Sequence, residues 1–331
     1  MPKAVQKTRR RSRDDGHIRR TTSSESTNIN PENNYPNLDP KQLEKTWTKE
    51  IFDQPKDERE SLLNELHGVS SRAVPESPGS IASALNLFQD AVDMFVPEYE
   101  KQAYHKACSM NSTYVHSVDF RLKFLRAELF HPRKAALRYV RNLDFLLDKF
   151  GDFALMRQLY MSDLNSEEIK FFKKGFMQIL PFRDRAGRRV VANLGSFGGF
   201  DFSMETKERV GAYVNFAIIS EDVTTQRKGA VALGLLTEEA IGSTQITKYS
   251  DFQRFSEAMP MRVSASHTCF PDDFRFRFLK ALLLTLVQGE IRLMTRIHIG
   301  KIDGLISCAS CRGFFNHYYF PIIFSFLTNV L

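Results

Sequence analysis

The feature that most constrains this fold is an alternation of strand-like and helix-like runs that begins near residue 177. The runs MQILPFRD and RRVVANLG flank a turn at 184–187, and further strand-like runs occupy 230–236, 261–268 and 292–299. Helical periodicity fills the intervals, including one long helix predicted over 203–227. Strands that alternate with helices indicate crossover connections between parallel neighbours in a sheet. We therefore predict an α/β fold with a mixed, largely parallel sheet flanked by helices.

The chain ahead of this alternation is predicted to be helical. Apolar residues recur at steps of three and four between Ile81 and Phe95. Pro132 suits the first turn of a second long helix, which ends at Gly151, and Glu168 is placed to cap a later helix. We expect these helices to form an N-terminal helical subdomain.

The first 79 residues differ in composition from the rest. Of the 28 Phe only Phe52 lies before residue 81, whereas seven of the 13 Pro lie there. Such a segment cannot bury enough apolar surface to offset the entropy lost on ordering, so we predict a disordered arm. Its basic cluster at 7–13, in a chain of net charge +7, suits an anionic surface or a nuclear address. The predicted organisation is an arm over 1–79, a helical subdomain over 80–160, an α/β domain over 161–300 and an apolar tail over 301–331.

The sequence patterns do not favour catalysis or a bound metal. The run GSFGGF after the second strand matches neither glycine pattern of phosphate-binding loops. His267 and Cys269 lack an evident orienting acid and oxyanion loop, and Cys308 and Cys311 lack a second pair of metal ligands. No apolar segment follows the basic start, as a secretory signal would require, so we expect a reducing setting. We predict a protein that is not an enzyme and has no cofactor or metal.

The helix predicted over 273–287 is apolar on nearly all sides. Phe274, Phe278 and Leu282 form one stripe, and further aromatic and aliphatic residues widen it. Such a helix is either buried in a core or covers an apolar cavity. The pattern alone leaves both interpretations open.

Four blocks of the sequence occur in an order and spacing typical of one protein family. They are FRLKFLRAELF with the following KAA, RDRAGRRV, KGAVAL, and the stretch from MPMR to TRIH, and together they lie within about residues 81–300. These blocks resemble the CRAL-TRIO family of lipid-binding proteins, which includes tocopherol-transfer, retinaldehyde-binding and phosphatidylinositol-transfer proteins. The resemblance implies that the helical subdomain packs against a lipid-binding domain over 161–300, which encloses an apolar pocket.

The resemblance also implies a function and a set of binding residues. A phospholipid, phosphoinositide or isoprenoid would be bound in the pocket and transferred or presented between membranes. Phe274, Phe278 and Leu282 would form a gate, which favours the lid interpretation of their helix. The candidate pocket floor, for which either face of each strand is open, comprises Val191, Leu194, Val231, Leu233, Val263 and Ala265. The candidate headgroup or membrane contacts are Arg133, Arg138 and Arg141.

Two features depart from the family pattern. The strand continues as Leu233-Gly-Leu-Leu where the family usually carries an aspartate, which argues against a headgroup contact from that position. The segment 301–331 matches nothing in the family, and its part 314–331 is uncharged and about as long as a short membrane span. Our first interpretation is a truncated or mistranslated end of the reading frame, and the second is a tail anchor.

Two further functions are compatible with the sequence. A lipid-sensing adaptor would recruit a partner through the N-terminal arm. A nucleic-acid-binding protein would use the basic arm, and it ranks lower because no aromatic residues interleave with the basic ones on a sheet. We expect a monomer that is cytoplasmic and contacts membranes transiently, and the basic N-terminus is compatible with a nuclear pool.

Overall fold

The computed structural model describes residues 45, 49–194, 202–235, 249–273, 277, 280 and 292–300, all within one compact unit. Short 3-10 turns occur at Glu98–Glu100 and Met161–Asp163. The helices are α1 (Lys56–Leu66), α2 (Pro78–Met94), α3 (Gln102–Ser109), α4 (Val118–Ala127), α5 (Pro132–Phe150), α6 (Phe153–Met156), α7 (Ser166–Lys173), α8 (Met204–Ile219), α9 (Val223–Lys228) and α10 (Tyr249–Ala258). The strands are β1 (Met177–Arg183), β2 (Arg189–Leu194), β3 (Ala230–Leu235), β4 (Val263–Phe270) and β5 (Thr295–Ile299).

The helix boundaries follow capping residues in the sequence. Ser77 and Ser80 form a reciprocal capping box at the start of α2, and Asn165 and Glu168 form another at the start of α7. Pro132 is the first residue of α5, where its missing N–H is not needed. These observations confirm the predicted positions of Pro132 and Glu168. The helix predicted over 203–227 is instead two helices, because Asp222 caps a new start at α9.

The sheet has five strands in the order β1-β2-β3-β4-β5. β1 and β2 form an antiparallel hairpin, and each later strand pairs in parallel with the one before it. The hairpin turns at Gly187, whose φ of +81° lies in the left-handed region that glycine adopts without strain. The prediction of a mixed, largely parallel sheet flanked by helices is confirmed.

One face of the sheet packs against the helices. Val191 and Ala230 of the sheet belong to the same buried core as Phe88 of α2, Leu143 of α5 and Val210 of α8. The residues predicted as a helical subdomain therefore share a continuous core with the α/β part of the chain.

The opposite face of the sheet carries a second buried apolar cluster. We call this face of the sheet the floor, and its buried apolar cluster consists of Leu180, Phe182, Val190, Ala192, Val231, Leu233, Ala265 and Cys269. Among the described residues outside the sheet, only Leu66 of α1 belongs to the same cluster.

The position of α1 corrects the predicted extent of the disordered arm. The arm was expected to reach residue 79, but residues 56–66 form a helix whose last residue, Leu66, is 1% exposed. The physical reason is local, because Leu62, Leu63 and Leu66 concentrate apolar side chains at one end of an otherwise polar segment. The predicted arm up to residue 44, most of the predicted lid and the tail at 301–331 lie outside the described residues.

Candidate functional site

The floor changes in character from one edge of the sheet to the other. Strand register places Val190, Val231 and Ala265 side by side in one row. In the next row, Ala192 and Leu233 are followed by His267 on β4 and Arg296 on β5. In the row after that, Cys269 on β4 lies beside His298 on β5. The side of the floor on β1 to β3 is thus aliphatic and aromatic, and the side on β4 and β5 carries histidine, arginine and cysteine.

The structure brings together three of the six predicted pocket residues. Val231, Leu233 and Ala265 all lie on the floor. Val191 points to the opposite face and joins the helical core, which corrects its assignment. Val263 is also corrected, because it is 41% exposed at the first position of β4. Leu194 ends β2, and its side chain lies outside the described residues.

The physical reason for these corrections is the two-residue period of a strand. Val190 and Val191 are chemically identical, yet successive side chains point to opposite faces. A pattern in which both residues are apolar fits a strand that is buried on both sides, so the sequence does not indicate which of the two side chains faces the pocket. The floor residue Val190, which the sequence analysis missed, is identified only by the register of the sheet.

The three predicted headgroup arginines do not form a solvent-facing group. Arg138 pairs with Glu128 and donates hydrogen bonds to the carbonyl oxygens of Ser256 at 2.8 Å and Met259 at 2.9 Å. Arg141 pairs with Glu257 at 2.6 Å. Both side chains therefore tie α5 to the end of α10, which corrects their assignment.

Of the three arginines, only Arg133 is exposed. Its guanidinium lies over the ring of Phe95, with 5.1 Å from the guanidinium carbon to the ring centroid. A cation over an aromatic face in water contributes about 0.5–1 kcal/mol, so this contact leaves Arg133 able to engage another group.

A buried histidine pair lies on the polar side of the floor. Nδ1 of His267 is 3.0 Å from Nε2 of His298, and Nε2 of His267 is 3.3 Å from the carbonyl oxygen of Leu66. Burial and, to a smaller degree, the neighbouring His298 together lower the pKa of His267 to about 3, so this ring is neutral at physiological pH.

The Leu66 carbonyl fixes the protons of this pair. A carbonyl oxygen only accepts, so Nε2 of His267 carries the hydrogen and donates it. A neutral imidazole has one N–H, so Nδ1 of His267 accepts from Nε2–H of His298. The hydrogen-bond chain therefore runs from β5 through β4 to the C-terminal end of α1.

Two arginines lie at or under the floor. Arg188 is fully buried and pairs with Asp184, with 2.8 Å from Nε to Oδ2, and it also donates to the hydroxyl of Ser264 at 3.2 Å. This buried pair braces the β1–β2 turn against β4. Burial also lowers the pKa of Arg296 to about 10.

The segment that contains α1 is held to the rest of the chain by three glutamates, and we call residues 49–76 the strap. Glu50 pairs with Arg292 ahead of β5. Glu65 is fully buried and makes a bidentate pair with Arg262, at 2.6 and 2.9 Å. Glu76 pairs with Arg126 at 2.6 Å and with Arg227 at 3.1 Å. These pairs connect the strap to β4, β5 and the helical layer, and the sequence analysis did not find them.

Comparisons with known proteins give little beyond the structure. No family model and no curated protein matches the chain. Ten chains of solved structures match, and one of these is the crystal structure of Sfh5. It is 11% identical to this chain, with a TM-score of 0.42 over 68% of this chain and 82% of that one, values too low to support an inference about function. Within the described ranges, no helix is long and apolar enough to cross a membrane.

Proposed function

We propose that this protein binds the hydrophobic part of a lipid on the floor and transfers or presents it between membranes. The observation that carries the proposal is the graded character of the floor, which is apolar on β1 to β3 and ionisable on β4 and β5. A lipid has the same two-part character, with a hydrocarbon chain and a polar end. The four sequence blocks that resemble the CRAL-TRIO family point in the same direction.

The energetics suit exchange with a membrane. Burial of hydrocarbon contributes about 0.8 kcal/mol for each methylene, so a chain of roughly fifteen methylenes gives about 12 kcal/mol gross relative to water. A lipid in a bilayer is already in hydrocarbon, so its transfer to a dry pocket is close to balanced. A carrier of this kind needs a cover that opens at the bilayer and closes in water.

The helix predicted over 273–287 is our proposed cover, with Phe274, Phe278 and Leu282 toward the pocket. Those three residues lie outside the described set. The described residues nearby in the chain show an ion pair between Asp272 and Arg277, at 2.8 Å, and a hydrogen bond from the N–H of Arg277 to the carbonyl oxygen of Asp273.

The first test is the identity of lipids that purify with the full-length protein. Native mass spectrometry should show one lipid bound to each chain, and denaturing mass spectrometry should identify it. A lipid with a photoreactive acyl chain should then label peptides that contain Val231, Leu233 or Ala265. A protein that folds but binds no lipid from vesicles of any composition would refute the proposal, as would labelling confined to other surfaces.

The cover is tested by charging it. Phe278→Asp should reduce lipid transfer between vesicles at least ten-fold, because a carboxylate cannot enter an apolar pocket without a large desolvation penalty. The matched control is Leu87→Asp, at a position on α2 that is 53% exposed. Equal transfer by both variants would exclude the cover.

A lipid-sensing adaptor is the second candidate, and the strap favours it. The strap connects the basic arm to the floor through Leu66 and Glu65, so occupancy of the floor and the position of the arm can be coupled. Transfer activity separates the two candidates. A protein that holds lipid but does not move it between vesicles would be an adaptor.

A further inference from the structure

A polar cluster in the helical layer is not used by the proposed lipid site. Cys108 is an exposed free cysteine in the last turn of α3. Its Sγ lies 3.5 Å from Nε2 of His116, and Nδ1 of the same ring lies 3.2 Å from the hydroxyl of Tyr139 on α5. The hydroxyl of Tyr139 is in turn 3.3 Å from the carbonyl oxygen of Val115. A thiol, an imidazole and a phenol are thus linked in one chain.

The buried carbonyl of Val115 sets the direction of this chain. Val115 is fully buried, and a buried carbonyl oxygen needs a donor, which the hydroxyl of Tyr139 supplies. Burial raises the pKa of Tyr139 far above its usual range, so the hydroxyl keeps its proton. Its oxygen then accepts from Nδ1–H of His116.

The same reasoning leaves an unprotonated nitrogen beside the thiol. Burial lowers the pKa of His116, and the charge of Arg121 lowers it further, so the ring is neutral at physiological pH and has one N–H. That hydrogen is on Nδ1, so Nε2 faces Cys108 with a free electron pair. A nucleophilic thiol in an active site is activated by an imidazole in this arrangement.

The surrounding packing holds His116 in place. The ring of Tyr139 is fixed edge-on between Phe88 and Phe124, each with 5.4 Å between ring centroids. The chain reverses direction after α3 at Asn111, whose φ of +53° lies in the left-handed region that asparagine tolerates better than most residues. This reversal returns the loop that carries His116 to the side of Cys108.

We propose that Cys108 is a nucleophilic thiol that takes part in thiol–disulfide exchange with low-molecular-weight disulfides, with His116 as its base and Tyr139 as a positioning residue. The proton of the thiol moves to Nε2 of His116. The thiolate attacks one sulfur of the disulfide, the S–S bond of the reagent breaks, and a new S–S bond forms to Cys108. The leaving thiolate takes the proton from His116 and departs as a thiol, so no other oxidant or reductant is consumed.

This site is independent of the proposed lipid site, and its product is a mixed disulfide on the surface of the helical layer. Modification at Cys108 would place a polar group beside His116 and Tyr104, whose rings are edge-on at 5.5 Å. Free thiols reverse the reaction, so the modification is reversible in a reducing compartment.

The experiment uses the full-length protein and oxidised glutathione at pH 7. Peptide mass spectrometry follows the mixed disulfide at Cys108 separately from the other three cysteines. We expect His116→Gln to lower the rate constant at Cys108 at least ten-fold, because positioned bases contribute about 10²–10⁴-fold when fully engaged. Tyr139→Phe, which keeps the ring, should lower it by a smaller factor. Circular dichroism reports whether each variant is folded.

The matched control is His105→Gln. His105 is an exposed histidine on α3, whereas His116 is half-buried in the loop before α4, and the ring of His105 contacts Glu98 rather than a thiol. Its rate constant should stay within two-fold of the wild type. Equal rate constants for His116→Gln and the wild type would overturn the proposal.

A second measurement needs no variant. Urea separates Cys108 from His116, so at pH 7 the unfolded chain should react with oxidised glutathione more slowly than the folded chain at this cysteine. A faster reaction in the unfolded chain would also overturn the proposal, because simple exposure of the thiol would then explain its reactivity.

Discussion

Replacement of Leu66 by alanine tests whether α1 belongs to the cooperative core. Leu66 is 1% exposed and lies in the same buried cluster as the floor. Truncation of a buried leucine removes its transfer free energy and leaves a cavity, which together lower the free energy of unfolding by about 2–5 kcal/mol. Leu87 on α2 is 53% exposed, so the same substitution there should change it by less than about 0.5 kcal/mol.

The two variants are compared by calorimetry and by hydrogen exchange of the α1 amides. In a domain of this size 1 kcal/mol corresponds to about 2–4 °C, so a loss of about 3 kcal/mol lowers Tm by roughly 6–12 °C for Leu66→Ala. The control Leu87→Ala should melt within about 2 °C of the wild type by the same conversion.

Two outcomes would refute this reasoning. Equal Tm values and equal exchange rates for both leucine variants would mean that Leu66 is not packed in the core. Faster exchange in α1 with an unchanged Tm would mean that α1 detaches on its own, below the free energy of global unfolding.

Three further predictions follow from single contacts. The folded-state pKa of His267 is about 3, below its ordinary value of 6.5. The contribution of this histidine to stability is therefore complete above about pH 6.5, and it is lost toward pH 3 at up to about 1.4 kcal/mol per pH unit. The free energy of unfolding in urea, measured at pH 7 and pH 5, should therefore depend less on pH for His267→Gln than for the wild type. Gly229→Ala should lower the free energy of unfolding by at least about 1 kcal/mol, because φ is +75° and a Cβ would lie 2.5 Å from the Arg262 carbonyl oxygen. The control Gly79→Ala should not lower it, because a Cβ at residue 79 would meet open space. Arg138→Ala should cost about 1–3 kcal/mol through the loss of donors to two carbonyls, and equal unfolding curves for it and the exposed control Arg133→Ala would contradict that role.

The sheet and the main helices could be predicted because their signals are local. Pro132 and Glu168 occupy cap positions that the backbone itself requires, and the alternation of strands and helices fixes crossover connections. The split between α8 and α9 was missed, although the apolar periodicity ends at Ile219 and Asp222 is a typical N-cap residue for a new helix.

The candidate site was harder to predict because it depends on contacts between distant segments. Neighbouring strand residues such as Val190 and Val191 were indistinguishable until the register placed them on opposite faces. Arg138 and Arg141 were expected to contact a headgroup or a membrane, yet the end of α10 brings a carboxylate and two carbonyl oxygens to them. Partners of this kind are more than 100 residues away in the chain and leave no local pattern.

The ion pair between Glu65 and Arg262 also sets an order of events during synthesis. The two residues are 197 positions apart, and the contact from His267 to Leu66 spans 201. A ribosome that adds about 5–20 residues per second needs roughly 10–40 s to make the intervening chain. Throughout that interval α1 has been made but the strand that receives it has not. The N-terminal segment of the newly made protein therefore waits exposed, with Leu62, Leu63 and Leu66 accessible to chaperones, until β4 leaves the ribosome and the helix can dock.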